Sequence, residues 1–207
     1  MNTNTIIEND PTTWDPIEQL CTFFRMRERI PEEFFVKYPD IQVIWNSYPY
    51  AYVLARLVSD VTFNLEEEGD HISLFHAAYA CVEEMFKHTP ESLRYIKARF
   101  LFNKVKDYMN GKVTEEEVYK ARNVIFPDNI TENHNQVDAA VFELSYLKGW
   151  PVVAIFTVGE ALSEKELKVY KTEDEAHKAL ADIVRKHLTC PTYPEVIQAL
   201  ERECDHS

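Results

Sequence analysis

Two His-x-Ser/Thr triplets stand out among the residue types that do chemistry: His71-Ile72-Ser73 and His187-Leu188-Thr189. An imidazole can pass a proton at a phosphate while a hydroxyl two residues on binds its oxygens. A second cluster lies near the C-terminal end, where His187, Cys190, Cys204 and His206 offer the nitrogen and sulfur atoms a tetrahedral zinc takes. The spacing is that of no common zinc module, and a helix-terminal histidine beside two incidental thiols is the competing account. Glu84 with His88, and Glu173 with His177, stand four residues apart, on one face of a helix. No matching pair on another helix completes a two-metal set, so these read as solvated ion pairs. His76 sits between two apolar stripes and reads as a core histidine. Neither a metal nor any other cofactor is expected.

Paired triplets of this form resemble the two-histidine phosphoesterases. The resemblance implies a small phosphodiesterase in which His71 and His187 carry protons while Ser73 and Thr189 hold the phosphate. That family sets its triplets on facing β-strands. Here the first opens a helix and the second closes one just before Pro191, so the alternative is that Asp70 or Ser73 caps a helix with His71 exposed in its first turn. Other enzyme classes are excluded more directly. The four glycines, Gly69, Gly111, Gly149 and Gly159, are too far apart for a phosphate-cradling loop or a dinucleotide fingerprint. No Ser, Cys or Thr lies in a strand–turn–helix elbow, so nucleophilic catalysis has no candidate.

Charge points elsewhere. The chain of 207 residues carries 22 Lys and Arg against 35 Asp and Glu, a net charge of -13. Duplex nucleic acid needs a net basic face and is not an expected partner. Two acidic blocks concentrate the excess: Glu66-Glu67-Glu68 followed by Asp70, and Glu115-Glu116-Glu117. They serve either solubility and helix starts, or the recognition of a basic protein. Tyr48, Tyr50 and Tyr52 alternate around a helix start and add the large, polar-tipped rings that interfaces favour. Arg94, Lys97, Arg99, Lys104 and Lys106 interleave with Tyr95, Phe100 and Phe102; in so acidic a chain they are expected to face acidic helices and water.

The elements that would position these groups are mostly helical. Asp15-Pro16-Ile17-Glu18 opens the first helix, to about Arg29, and prolines chop the chain up to residue 50 into short pieces. Tyr50, Val53, Leu54, Leu57, Val58 and Val61 mark an amphipathic helix, and residues 72–86 carry two apolar stripes, as a helix in the middle of a bundle does. Thr89-Pro90 begins a helix through Met109, Thr114 and Glu117 cap another, and Val137 to Leu144 mark a third. Val152 to Val158 is β-branched and aromatic, and Glu166 to Tyr170 alternates, so the two read as a hairpin ahead of a helix capped by Thr172 and Glu175. A short helix from Glu195 to Glu203 ends the chain. The expected fold is mainly α with an α+β ending: a helical bundle over residues 1–126, then a helix and a ββα unit over 127–207, packed as one compact domain. The N-terminus has no basic, apolar leader, the longest apolar run is too short to span a membrane, and the four cysteines are scattered. These features suit a cytosolic location with free thiols. The function expected is that of an acidic interaction protein, an inhibitor, immunity, antitoxin or counter-defence type docking on a basic, nucleic-acid-handling partner, with the phosphodiesterase as the alternative.

Overall fold

The computed structural model describes residues 15–65, 68–127, 135–147, 149, 151–163 and 166–205. Among them the chain forms eleven α-helices: α1 (Pro16–Met26), α2 (Glu32–Lys37), α3 (Ile41–Ser47), α4 (Ala51–Leu65), α5 (Glu68–His88), α6 (Ile96–Met109), α7 (Glu115–Ile125), α8 (Gln136–Leu144), α9 (Pro151–Leu162), α10 (Glu173–His187) and α11 (Tyr193–Asp205). A 3-10 turn, Leu93–Tyr95, leads into α6. None of the described helices is long and apolar enough to cross a membrane.

The hairpin expected over Val152–Val158 and Glu166–Tyr170 is absent, and no strand occurs among the described residues. Val152–Val158 lies inside α9, which begins with Pro151 at its first position, where a proline costs no hydrogen bond. A helix buried on nearly every side carries a continuous apolar run, and so does a buried strand. Here Ala154, Ile155, Val158, Ala161 and Leu162 are all essentially buried, against α5 and α8 above all and also against α4 and α10. The second half of the expected hairpin closes this helix. Backbone N–H groups of Leu167, Lys168, Val169 and Tyr170 donate to the carbonyls of Ala161, Leu162 and Ser163, which a helix end otherwise leaves unpaired. Glu166 fixes the segment from the other side, accepting from the Tyr95 hydroxyl at 2.7 Å and pairing with Arg94 at 2.6 Å.

Around α9 the layers follow from the apolar stripes. Helix α4 buries Val53, Leu54, Leu57, Val58 and Val61 and packs on α1, α9, α10 and α11. Helix α6 turns Ala98, Leu101, Phe102 and Val105 inward onto α7 and α8, with Phe102 also meeting Tyr79 and Phe86 of α5. One apolar core joins residues from Ile17 to Leu200. Helix starts use the residues that the sequence marks: Asp15 accepts from the Ile17 N–H, Thr114 and Glu117 cap each other, and Thr172 accepts from the Glu175 N–H.

The short helix α3 is held from across the molecule. The Arg185 guanidinium on α10 donates from Nε to the Trp45 carbonyl at 3.1 Å, to the Tyr48 carbonyl, and to Asp182 at 3.0 Å. Trp45 and Tyr48 are both 2% exposed, so these carbonyls have little water to turn to. Lysine cannot reproduce the two-pronged contact. Arg185→Lys is expected to destabilise the fold by about 1.5 kcal/mol, one charge-assisted bond to a carbonyl. Thermal melting would detect that loss, and an unshifted melt would contradict the anchoring role.

Candidate interaction face

Three helix starts converge on the tyrosines. Tyr50 and Tyr52 stand at the beginning of α4, half-buried, with ring centroids 6.5 Å apart. Tyr52 meets Phe156 of α9 at 5.3 Å and His177 of α10 at 4.9 Å, and Phe156 stacks on His177 at 5.8 Å. Phe156 and Val153 are 37% and 38% exposed, so the rings and valines form a partly open apolar patch. Tyr48 caps α3 and touches Tyr50, but it is buried in the core and presents no ring to a partner.

Acidic groups rim this patch because helix starts favour carboxylates. Asp15 and Glu18 open α1, and Glu173, Asp174 and Glu175 open α10. Their field reaches the phenols. Burial first, then Asp174, raises the pKa of Tyr50; burial, then Glu18, raises that of Tyr52. Both hydroxyls therefore stay protonated. The Asp15 carboxylate serves a cap and that of Glu175 accepts from the Lys171 N–H, whereas Glu18 and Asp174 act on the tyrosines.

His177 forms the floor. It is 2% exposed, and neither ring nitrogen has a hydrogen-bond partner among the described residues. Burial outweighs the pull of Glu173 and Asp174 and lowers its pKa to about 4. The ring lies directly against the backbone of Gly159: a Cβ there would come within 2.8 Å of three imidazole atoms. Sequence spacing offered His177 only as a partner for Glu173, and its place against α9 has no local signal.

The other expected site residues are dispersed. Glu66 and Glu67, and the side chains of Glu68, Asp70 and His71, lie outside the described residues. Each of the three α7 acids has a local role: Glu115 accepts from the Tyr119 hydroxyl, Glu116 pairs with Lys120, and Glu117 caps Thr114. Ser73 is half-buried on α5. His187 is exposed at the end of α10, its pKa lowered by slight burial, by His76 and by Lys186, so its near neighbour is His76, which is exposed. Thr189 instead lines a cleft with Thr62 of α4 and Glu195 of α11. His187 and Thr189 thus face different parts of the molecule.

Metal chemistry finds no set of ligands: among the described residues no three His, Cys, Asp or Glu side chains are grouped to hold an ion. Cys190 is buried and its thiol, pushed up to about 12 by burial, stays protonated and donates weakly to the Ile41 carbonyl at 3.9 Å. Cys204 and His206 fall outside the described side chains. Glu84 pairs with both Lys87 and His88. Three cations of the 3-10 turn and α6 are engaged within the protein: Arg94 with Glu166, Arg99 with the Thr89 carbonyl and Lys106 with Glu83. Compared with protein-family models, curated proteins and solved structures, the chain matches none.

Proposed function

We propose that this chain is a docking protein whose face of Tyr50, Tyr52, Phe156 and Val153, rimmed by Glu18, Glu173 and Asp174, binds a basic protein. The observation that carries the reading is the convergence of three helix starts, which gathers carboxylates around half-open aromatic rings. Aromatic rings provide the apolar centre of an interface, and surrounding charge of one sign selects the partner and speeds encounter. An inhibitor of a nucleic-acid-handling protein fits this chemistry, because such a target carries a basic surface for phosphates and an acidic face competes for it.

The test begins with a photo-crosslinking side chain at position 156 and, as control, at exposed Val124 on α7. The adduct specific to position 156 is expected to be a basic protein. With the purified pair, Asp174→Lys is expected to weaken binding about tenfold and Glu116→Lys to leave it within about twofold. Raising salt should weaken the native complex and not the charge-reversed one. A neutral or acidic adduct, or equal effects of the two reversals, would overturn the proposal.

A further inference from the structure

Arginines are gathered where the overall charge of -13 would not lead one to look for them. A cleft of about 400 Å³ runs between α1 and α4, lined by Glu18, Thr22, Arg25, Tyr52 and Arg56 among others. A second, of about 320 Å³, is lined by Arg25, Arg27, Arg56, Ser59, Phe63 and Asn64. The two share Arg25 and Arg56 and form one furrow. Glu18 marks its end nearest the interaction face, and the arginines mark the other.

The hydrogen-bonding inventory at the arginine end is incomplete. Asp60, the one acid lining that end among the described residues, holds Arg56 through Nε, at 2.8 and 2.9 Å to its two carboxylate oxygens. Both terminal nitrogens of Arg56 are left without an acceptor among the described residues. Arg25 is exposed with no acceptor there, and neither has the Ser59 hydroxyl. Cations in the last turn of α1 complement its dipole, which accounts for the position of Arg25 and Arg27 but not for Arg56 in the middle of α4. Beside these donors Phe63 is 71% exposed, an aromatic face with nothing packed over most of it.

Unused guanidinium forks fit phosphate oxygens two at a time, and an open ring offers a stacking surface. We infer that the arginine end of this furrow is a binding site for a mononucleotide, with Arg25, Arg56 and Ser59 on the phosphate and Phe63 on the base. A single nucleotide is the occupant because Glu18 stands at the other end of the furrow and the net charge of -13 disfavours a longer polyanionic strand. The furrow adjoins the interaction face through Glu18 and Tyr52, but the residues assigned to the nucleotide are not part of that face and do not depend on its reading.

Calorimetric titration with adenosine 5′-monophosphate, adenosine, inorganic phosphate and an oligoadenylate tests this. The monophosphate is expected to bind one to one, and both adenosine and free phosphate about tenfold more weakly or worse. Arg25→Glu, at an exposed residue with no acceptor among the described residues, should lower melting only slightly through the α1 dipole, leaving the chain folded, and weaken the monophosphate at least about tenfold. Phe63→Ala should weaken it about fivefold or more and leave free phosphate unaffected. No saturation by the monophosphate, free phosphate binding as tightly, or unaltered affinity in Arg25→Glu would each overturn the inference. An oligoadenylate binding more tightly than the monophosphate would overturn it in favour of a strand.

Discussion

Gly159→Ala is expected to destabilise the protein by about 2 kcal/mol, although alanine is the better helix former. In an isolated helix the change would stabilise by up to about 1 kcal/mol. Against that stands the imidazole of His177, three of whose atoms lie within 2.8 Å of the position the new methyl would take. The ring cannot simply swing aside, because Tyr52 and Phe156 flank it. Forcing a methyl into a filled core costs about 1–3 kcal/mol and occasionally more, and the upper part of that range applies when the obstacle is a boxed ring. For a chain of this size the net loss corresponds to a melting temperature lower by about 4–8 °C. The origin can be isolated by a double-mutant cycle. With His177→Ala already made, the methyl has room, and Gly159→Ala should become neutral or stabilising, a coupling of at least about 2 kcal/mol. Additive losses, or a single variant that melts at or above the native temperature, would remove the contact from the account.

The second large effect is in pH. His177 has a folded pKa of about 4, against the ordinary value of 6.5 that it regains on unfolding. Between those values the unfolded chain binds a proton that the folded chain refuses, so acid favours unfolding. The stabilisation is complete above about pH 6.5, falls progressively as pH drops, and is lost by about pH 4. A shift of this size amounts to about 3 kcal/mol. The groups facing the ring are Tyr52 from α4, Phe156 and Gly159 from α9, and Glu173 and Asp174 on its own helix. Carboxylates also titrate across this range, so the informative quantity is the difference between the native chain and His177→Leu. Whatever that variant costs at pH 7, the native chain should lose about 3 kcal/mol relative to it on acidification to pH 4, measured by denaturant unfolding at each pH. A constant difference would show that the ring takes up its proton while folded.

Local chemistry carried much of the helical layout. Asp15 before Pro16, Thr114 with Glu117, and Thr172 with Glu175 mark helix starts because each solves a problem confined to one turn of backbone. Residues 151–162 misled for a reason of the same kind. Val152, Val153, Ile155, Thr157 and Val158 favour strands one by one, and only enclosure by four other helices makes a uniformly apolar helix stable. Two local signs argued against a strand: Pro151 suits a first helical turn, and the apolar stretch continues through Ala161 and Leu162. Of the candidate face, Tyr50 and Tyr52 were legible by type. Its rim was not, since Glu18 and Asp174 are ordinary helix-start acids until packing sets their helices side by side. The contact between Gly159 and His177 was equally hidden, because neither residue constrains the other until α9 and α10 meet.

The enclosure of α9 also sets an order of events during synthesis. The element on which α4, α5, α8 and α10 all lean is encoded only after residue 150. When α4 and α5 emerge from the ribosome, their inward faces have no cover. At about 5–20 residues per second they wait several seconds for the missing piece. A nascent chain of this design exposes sticky surface for longer than one whose centre is translated first, and it must be shielded by chaperones or held off by its own surplus of negative charge.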